Sequence, residues 1–474
     1  MIISRKNTIC GILILITVMA PFITGNQDNK PDIDLFTNQP NFILGDEEVN
    51  EINSLREKSE NERIQLDNYN ISQWQSFFDN EFASVMNALK IPGMALSVVN
   101  STNILYNKGY GYASLEESKL IDPNTTLFRI GSVSKLFTWT AVMQLYEQGL
   151  LDLDEDVNTY LSTFKIKNKF NQPITMRHLI THSAGFEADW IWNGDATEET
   201  LLSLEDYVIK FQPRRVSPPG ETCSYSNYGA SLAGYIVTQI SGLDYDNYIE
   251  ENIFIPLKMN SSTFRQPFPE HLKDNFTSVY SFDEDGEPIL SFSKLVLAPP
   301  AGGLATTALD VAQFMMAHLN NGSVDSVQIL QEATTQQMHQ RLFSNDPRIT
   351  GWTYGFVDTT YRGVRILLHG GAVARSGGII FLMPELDIGV YLSYNTESVI
   401  STVAILAGFL ETFFTLDTIT NIYPSTSSKE NLKRFAGKYM QAGVWETTPL
   451  KIERVIDYLE VTITGDGFLL FKGQ

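Results

Sequence analysis

The chain has 474 residues, of which 43% are hydrophobic, 11% aromatic and 19% charged, a composition typical of a globular protein with a sizeable core. Its formal net charge is −21 and it contains no basic block, so the sequence argues against binding to nucleic acid or to anionic lipid. Arg5 and Lys6 precede the apolar run ICGILILITVMAPF, which has the length of a signal-peptide core. We therefore expect a secretory signal at 1–25 and no other contact with a membrane. An uncleaved anchor is the alternative, although Pro21 interrupts the run early.

Behind this predicted signal, six N-x-S/T triplets indicate a glycosylated protein that is secreted or held in the lumen of the secretory pathway. The acceptor positions are Asn70, Asn100, Asn124, Asn260, Asn275 and Asn321. Cys10 lies within the signal, which leaves Cys223 alone in the mature chain. We expect no internal disulfide, and we interpret Cys223 as a buried structural thiol.

Residues 26–67 are polar and predict a loosely held lead-in. Apolar residues then recur every three or four positions, which predicts an amphipathic helix ending near Pro92, at Trp74, Phe78, Phe82, Met86 and Leu89. The run MALSVVNSTNILYNKGYGYAS predicts two strands joined at 100–103. The next run, FRIGSVSKLFTWTAVMQLYEQG, predicts a helix that reaches Gln148 and stops at Gly149.

Residues 150–215 predict a mixed, largely helical region with many loops, and a further helix is expected over 227–240. The runs VRILLHG, GGIIFLM and IGVYLSY predict three strands, the last two joined by a turn at 384–387 and followed by a helix over 398–414. This order predicts an α+β fold over 68–416: an antiparallel sheet flanked by helices, with a mostly helical subdomain. The runs TTPLKIERV, YLEVTITG and FLLFKG predict a small β unit at 425–474, which is either small or incomplete.

The first candidate motif for chemistry is S-x-x-K, which occurs at Ser132, Ser162 and Ser291. Positions i and i+3 of a helix lie on one face, so Lys135 can reach the Ser132 hydroxyl. A lysine in a dry site can act as a neutral base and activate that hydroxyl as a nucleophile. A capping serine beside a solvated lysine is the alternative for any single copy. Only the Ser132 copy opens a long apolar helix, which favours it over the other two.

Two further motifs follow downstream. Tyr225 and Asn227 form a Y-x-N pair, in which tyrosine can serve as a general acid or base and asparagine can orient a substrate or the lysine. A second Y-x-N copy at Tyr245 lies in an acidic stretch and is interpreted as surface structure. His369 ends a predicted strand and is followed by Gly370 and Gly371, whose lack of a side chain lets a substrate backbone approach. Taken singly, the Y-x-N and H-G-G motifs are also compatible with ordinary turns.

In this order, S-x-x-K, Y-x-N and H-G-G resemble the serine β-lactamase and penicillin-binding-protein-like hydrolases, nearest the class C β-lactamases, D-aminopeptidases, esterases and LACTB-like proteins. The segments TMRHLITHSAGF, ENIFIPLKMNSSTF and APPAGGLATTALDVAQFMMAHLNNG also resemble that family, over roughly 71–414. The tail is similar to the lipocalin-like β domain of some relatives. The resemblance implies a serine hydrolase that forms an acyl-enzyme.

The resemblance also implies a role for each site residue. Ser132 would be the acylated nucleophile and Lys135 its base, and Tyr225 would pass a proton to the leaving group. Asn227 would position the substrate beside His369, Gly370 and Gly371, while the amides of Ser132 and Ala372 would form the oxyanion hole. His369 stands where β-lactamases carry the lysine of K-T-G. Because a neutral histidine binds a carboxylate less well, the expectation moves towards a peptidase or an esterase.

Other functions stay open. A true β-lactamase or D-Ala-D-Ala carboxypeptidase is one alternative, and a secreted binding protein that keeps the fold without hydrolysis is another. His178 and His182 have the i, i+4 spacing of zinc ligands, but HLITH lacks the glutamate of H-E-x-x-H, so we expect packing residues and no metal. We expect a small-molecule or peptide substrate and no cofactor. Oligomeric state is not readable from the sequence.

Overall fold

The computed structural model describes the predicted α+β domain with short gaps, together with three strands of the tail. The described residues are 70–187, 195–292, 295–345, 349–373, 375–396, 400–414, Gly437–Tyr439, Leu459–Ile463 and Leu469–Gly473. The predicted signal (1–25) and lead-in (26–67) lie outside the described residues.

The strands, in chain order, are β1 (Gly93–Val99), β2 (Ile104–Ser114), β3 (Lys119–Leu120), β4 (Phe128–Arg129), β5 (Asp195–Ala196), β6 (Val279–Phe282), β7 (Pro288–Ser291), β8 (Leu295–Val296), β9 (Ala305–Thr306), β10 (Ser323–Val324), β11 (Val327–Gln328), β12 (Gly351–Trp352), β13 (Val357–Tyr361), β14 (Val364–Val373), β15 (Ser376–Met383), β16 (Ile388–Tyr394), β17 (Gly437–Tyr439), β18 (Leu459–Ile463) and β19 (Leu469–Gly473). The α-helices are α1 (Ile71–Leu89), α2 (Ser134–Glu147), α3 (Met176–Ile180), α4 (Leu204–Lys210), α5 (Asn227–Ser241), α6 (Tyr245–Ile249), α7 (Glu270–Lys273), α8 (Pro299–Gly302), α9 (Ala308–Leu319), α10 (Glu332–Met338) and α11 (Ile400–Phe413). Short 3₁₀ turns lie at Gly131–Val133, Val157–Tyr160 and Pro384–Leu386, and a π-helical turn at Glu250–Phe254.

The centre of the molecule is an eight-stranded sheet with the order β12-β13-β14-β15-β16-β1-β2-β3. Every neighbouring pair in it is antiparallel. Strands from both ends of the domain meet in it. The first strand, β1, pairs with β16, and Leu96 lies opposite Leu392. The predicted fold class, an antiparallel sheet flanked by helices, is confirmed.

Alternation along β1 explains how both faces of this sheet are covered. Met94, Leu96 and Val98 are buried in one apolar cluster, and Ala95 and Val99 in another, as the two-residue period of a strand requires. The first cluster contains α1 and α11, the second α2, α5 and α9. The sheet therefore separates two cores.

The helices α1 and α11 pack through aromatic rings. The Trp74 and Phe409 ring centroids lie 4.9 Å apart in an edge-on arrangement, and Phe78 stacks on Phe409 at 5.0 Å. The predicted periodicity of α1 is confirmed at Trp74, Phe78 and Phe82, its buried residues. It was wrong at Leu89, the last residue of the helix, which is 42% exposed, and Met86 is half-buried. Large buried aromatic rings provide much of the apolar area that holds such a helix pair on a sheet.

The predicted β1–β2 hairpin is present, and Asn100 shows why the chain turns there. Its Oδ1 accepts hydrogen bonds from the backbone N–H of Thr102 at 3.0 Å and of Asn103 at 2.6 Å. An asparagine side chain that bonds the backbone two or three residues on stabilises a tight turn. The local sequence was sufficient to place this hairpin.

The region 150–215 is less helical than predicted. Its described part holds only a 3₁₀ turn, α3, α4 and the short strand β5, with loops between them. Asn158 illustrates the reason: its amide accepts from Ile166 N–H at 2.7 Å and donates to Ile166 O at 3.1 Å. Polar side chains that bond the backbone in this way compete with helix formation.

In the tail, β17, β18 and β19 form an antiparallel three-stranded sheet. The runs YLEVTITG and FLLFKG contain β18 and β19, whereas TTPLKIERV lies outside the described residues. The domain boundaries proposed from the sequence stay a prediction. Within the described ranges, no helix combines the length and the apolar character needed to span a lipid bilayer.

Candidate active site

Ser132 lies at the junction between the sheet and the helical layer. The chain leaves β4, makes the 3₁₀ turn Gly131–Val133 and enters α2 at Ser134. Gly131 has φ +53°, a left-handed conformation that a glycine adopts at no steric cost. The predicted helix therefore begins with a tight turn, and Ser132 stands in that turn, partly exposed.

Lys135 is fully buried and reaches Ser132 directly. Its Nζ donates to Ser132 Oγ at 3.0 Å, to Asn227 Oδ1 at 2.6 Å and to Ala301 O at 2.6 Å. Its exposed fraction is 0%. All three acceptors are neutral oxygens, and a buried ammonium that faces neutral groups pays a large desolvation cost. Burial thus destabilises the protonated form of this amine.

Tyr225 and Asn227 lie at the start of α5, and both are close to the amine of Lys135. Ser226 caps this helix, its Oγ accepting from Gly229 N–H at 3.0 Å, so the two residues on either side of it are fixed at the helix mouth. The Lys135 Nζ lies 4.8 Å from the centre of the Tyr225 ring. The structure therefore brings Ser132, Lys135, Tyr225 and Asn227 together, although their catalytic roles stay predictions.

The strand β14 carries the H-G-G motif past Ser132. An ideal Cβ on Gly371 would lie 2.2 Å from Ser132 N and 2.3 Å from Ile130 O, and a Cβ on Gly131 would lie 2.4 Å from Ala372 N. Real Cβ atoms do not approach backbone atoms so closely, so both positions require glycine. We expected Gly371 to leave room for a substrate, but the groups that it approaches here belong to the protein's own turn. The contact places the amides of Ser132 and Ala372 on neighbouring backbone segments.

His369 is 0% exposed, so its side chain is covered by neighbouring residues and does not contact a substrate directly in this structure. Its Nδ1 donates to Gly370 O at 2.9 Å, and its ring lies 6.1 Å from that of Trp352. Burial and, next, the Lys135 charge lower the pKa of His369 to about 3. The histidine is therefore neutral at physiological pH.

The other copies of these motifs are built differently. Lys165, the partner expected for Ser162, instead donates to the backbone carbonyl of Asn158, and Ser162 Oγ donates to Gln239 at 2.6 Å. The lysine that would pair with Ser291 lies outside the described residues. Tyr245 was expected at the surface; this was wrong, because it is 5% exposed and its hydroxyl lies 2.7 Å from Thr138 Oγ1.

Cys223 and the two histidines of HLITH are the remaining candidates. Cys223 is a free thiol, half-buried rather than buried, and burial of the sulfur raises its pKa to about 12, which makes it a poor nucleophile. The Nδ1 of His178 lies 3.0 Å from Thr175 Oγ1, and that of His182 accepts from Ser226 N–H at 3.2 Å. Within the described residues, no set of three metal-ligating side chains is arranged around a common point.

Three groups that form part of this site were not predicted from the sequence. Trp352 packs beside Tyr225, with ring centroids 6.1 Å apart, and beside His182 at 4.7 Å. The backbone carbonyl of Ala301 holds Lys135, and no side-chain pattern reports on a carbonyl. His182 was expected to be a packing residue, with zinc binding as the rejected alternative; its place two residues after a short helix was the available signal for a further role.

Several known proteins are similar to this chain. A family model described as Beta-lactamase matches residues 78–408. Protein flp of Staphylococcus aureus (strain MW2) is 26% identical over 317 residues, covering 65% of this chain and 60% of that protein. Penicillin-binding protein 4 of Amycolatopsis lactamdurans is 27% identical over 320 residues, covering 65% of this chain and 80% of that protein. The match thus spans less than two thirds of the first of these relatives.

Solved structures with the same fold include an octameric penicillin-binding protein homologue from Pyrococcus abyssi, with a TM-score of 0.61 and 26% identity, covering 85% of this chain and 90% of that one. A β-lactamase/D-alanine carboxypeptidase from Pseudomonas syringae has a TM-score of 0.59 and 18% identity, covering 72% of this chain and 99% of that one. At 18% identity, the second likeness supports the fold alone.

The contact between β14 and the Ser132 turn makes one substitution informative. In Gly371→Ala, the added Cβ meets Ser132 N and Ile130 O, so either the strand or the turn must shift. We expect a loss of about 1–3 kcal/mol in unfolding free energy, measured by urea titration, together with loss of Ser132 reactivity towards an acylating probe. In the control Gly408→Ala, the nearest atom is Phe77 Cζ at 3.4 Å, and stability should be nearly unchanged. A Gly371→Ala protein with wild-type stability and reactivity would contradict the close approach of β14 to the Ser132 turn.

The buried histidines predict acid sensitivity. Because the pKa of His369 is about 3 when folded and near 6.5 when unfolded, the unfolded chain gains a proton first as the pH falls. The contribution of His369 to the free energy of unfolding is therefore complete above pH 6.5 and is lost as the pH falls towards 3. About 2 kcal/mol of it is lost between pH 7 and pH 5. Urea titrations at both pH values should show a smaller loss in His369→Gln than in wild type. Replacing the exposed His271 by Gln should leave the loss unchanged, and equal losses in all three proteins would refute the assignment.

Proposed function

The chain belongs to the beta-lactamase family, and from that premise we propose that it is a serine hydrolase that forms an acyl-enzyme on Ser132 and cleaves an amide or ester bond. The observation that carries the proposal is the 3.0 Å contact between Lys135 Nζ and Ser132 Oγ in a position where the lysine is 0% exposed. The Lys135 ammonium must first release a proton, and burial favours this by destabilising the charged form; a lysine exposed to solvent would stay an ammonium ion and could not accept the serine proton.

The proposed reaction has two halves. In the first, the amine of Lys135 takes the Ser132 proton while Oγ attacks the substrate carbonyl, and the resulting oxyanion is bound by the amides of Ser132 and Ala372. Tyr225 then gives a proton to the leaving amine or alcohol and regains one from the Lys135 ammonium, which restores the neutral amine, and the acyl group stays on Ser132. In the second half, water attacks the ester carbon, releases the acid and returns the proton to Ser132. Asn227 holds the Lys135 amine in place throughout.

The substrate class that we propose is an uncharged acyl group in a peptide-like amide or an ester. His369 is neutral and buried, so this position of β14 offers no fixed positive charge to a substrate carboxylate. A β-lactamase or D-Ala-D-Ala carboxypeptidase is the second candidate, favoured by the similarity to a protein named as a penicillin-binding protein. A chromogenic β-lactam hydrolysed faster than esters and amino acyl amides would favour that candidate instead.

A binding protein without hydrolysis is the third possibility. Ser132, Lys135 and Asn227 keep a continuous hydrogen-bond chain around a buried amine. Such an amine is costly to bury, and binding alone gives no reason to maintain it.

A fluorophosphonate probe tests the proposed nucleophile. We expect stoichiometric labelling of Ser132, detected by mass spectrometry, and no labelling or turnover in Ser132→Ala with an unchanged melting temperature. In Lys135→Met the rate of labelling should fall by roughly 10²–10⁴, as expected for loss of a general base. The matched control is Ser162→Ala, the exposed S-x-x-K copy, which should react like wild type. Undiminished labelling of Ser132→Ala would eliminate this residue as the nucleophile.

We also propose that the protein is secreted and glycosylated. Four of the six acceptor asparagines, Asn70, Asn124, Asn260 and Asn321, are exposed, and the other two are half-buried. An exposed acceptor is accessible to an oligosaccharide after folding, which fits the secretory signal predicted from the sequence.

Expression of the full chain in a eukaryotic secretory cell tests this proposal. We expect the protein in the medium and a decrease in its mass after removal of N-linked glycans with PNGase F. Asn260→Gln should remove one glycan from the mass spectrum and leave the fold intact, because this side chain is exposed. Protein retained in the cytosol without glycans would contradict both the proposed secretion and the proposed glycosylation.

A further inference from the structure

His182 occupies a backbone position that favours glycine. Two hydrogen bonds close the end of α3: His182 N–H donates to Leu179 O at 3.1 Å and Ser183 N–H to His178 O at 2.8 Å. This pair is the Schellman pattern, in which the residue after the helix cap adopts a left-handed conformation. His182 does so with φ +55°, where a side chain is tolerated at a cost. Helix termination alone would be served better by glycine, so the imidazole has another role.

The imidazole and the backbone of His182 hold both neighbours of Tyr225. His182 O accepts from Ser224 N–H at 2.7 Å, and His182 Nδ1 accepts from Ser226 N–H at 3.2 Å. Between these two bonds, the His182 and Tyr225 rings lie 4.3 Å apart. One residue thus fixes the backbone on each side of the tyrosine and also packs against its ring.

This arrangement requires a neutral imidazole whose Nδ1 has no proton. His182 is 2% exposed, and burial, the Lys135 charge and His369 together hold its pKa well below its usual range. The proton of the neutral ring then lies on Nε2, because Nδ1 is the acceptor for Ser226. Protonation of Nδ1 would remove that acceptor.

We propose that His182 is a positioning residue that holds the hydroxyl of Tyr225 in the orientation needed to protonate the leaving group. The inference rests on the proposed function. Without the bond from Ser226, the segment 224–226 can shift while the Ser132–Lys135 contact stays in place. Attack by Ser132 then continues, and the step that fails is transfer of the proton to the departing amine or alcohol.

The choice of leaving group separates positioning from a general structural effect. An alkyl ester needs a proton on its departing oxygen, whereas a p-nitrophenyl ester leaves as a stable anion. In His182→Ala we expect the single-turnover acylation rate to fall about 100-fold with the alkyl ester and less than about 10-fold with the p-nitrophenyl ester. Tyr225→Phe should show the same contrast, and the double variant should lose little more, because the two residues act in one step.

Two variants serve as controls. His182→Asn should recover much of the alkyl-ester rate, because asparagine tolerates the left-handed conformation and its Oδ1 can accept from Ser226 N–H. His178→Asn changes a histidine four positions earlier that contacts Thr175 instead of the Tyr225 segment, and it should keep the wild-type ratio of the two rates.

The outcomes distinguish the inference from its premise. If wild type acylates only with amides, the same contrast is measured between an alkyl amide and a p-nitroanilide. A wild-type protein that acylates with none of these esters and amides would overturn the proposed function and this inference with it. An active wild type in which His182→Ala slows both esters equally, or in which His182→Asn fails to recover the alkyl-ester rate at unchanged melting temperature, would overturn the positioning role alone.

Discussion

The arrangement of the candidate active site depends on one buried amine. Lys135 Nζ donates to Ser132, Asn227 and Ala301, which lie in the turn before α2, at the start of α5 and within α8. Burying an amine among neutral oxygens is expensive, and the cost rises further if any of these bonds is lost. The three helices must therefore meet at one point, and the hydroxyl of Ser132 is one of the groups that satisfies the amine. Helix packing and the proposed activation of Ser132 thus depend on the same contacts.

A second constraint is the close approach of strand and turn. Gly131 and Gly371 lie on opposite sides of a contact with no space for a Cβ, so β14 passes directly against Ser132. Beside this contact, Ser376 links the neighbouring strand β15 to β4, its Oγ donating to Arg129 O at 2.9 Å. Amides that are fixed in position before the reaction stabilise an oxyanion best, because they need no rearrangement. The close approach brings the amides of Ser132 and Ala372 onto neighbouring segments, which supports the oxyanion hole proposed above.

The electrostatics around the amine follow from burial. His182 and His369 are kept neutral by desolvation and by the Lys135 charge, so each ring has a definite acceptor or donor: His182 accepts from Ser226, and His369 donates to Gly370. Neutral rings preserve these bonds over the whole physiological pH range. The same burial couples the site to the stability of the fold in acid, because a buried neutral histidine must bind a proton when the chain unfolds.

The sequence determined those features that local spacing encodes. The periodicity of Trp74 and Phe78 placed α1, the turn-forming Asn100 placed the β1–β2 hairpin, and the i, i+3 spacing placed Lys135 beside Ser132. The extent of helix in 150–215 was overestimated, since side-chain bonds to the backbone there depend on partners brought close by folding. Only the tertiary structure decided that the Ala301 carbonyl completes the Lys135 site, because it lies 166 positions away in the chain. Side-chain patterns record which face of an element is buried, but not which distant backbone atom that face will meet.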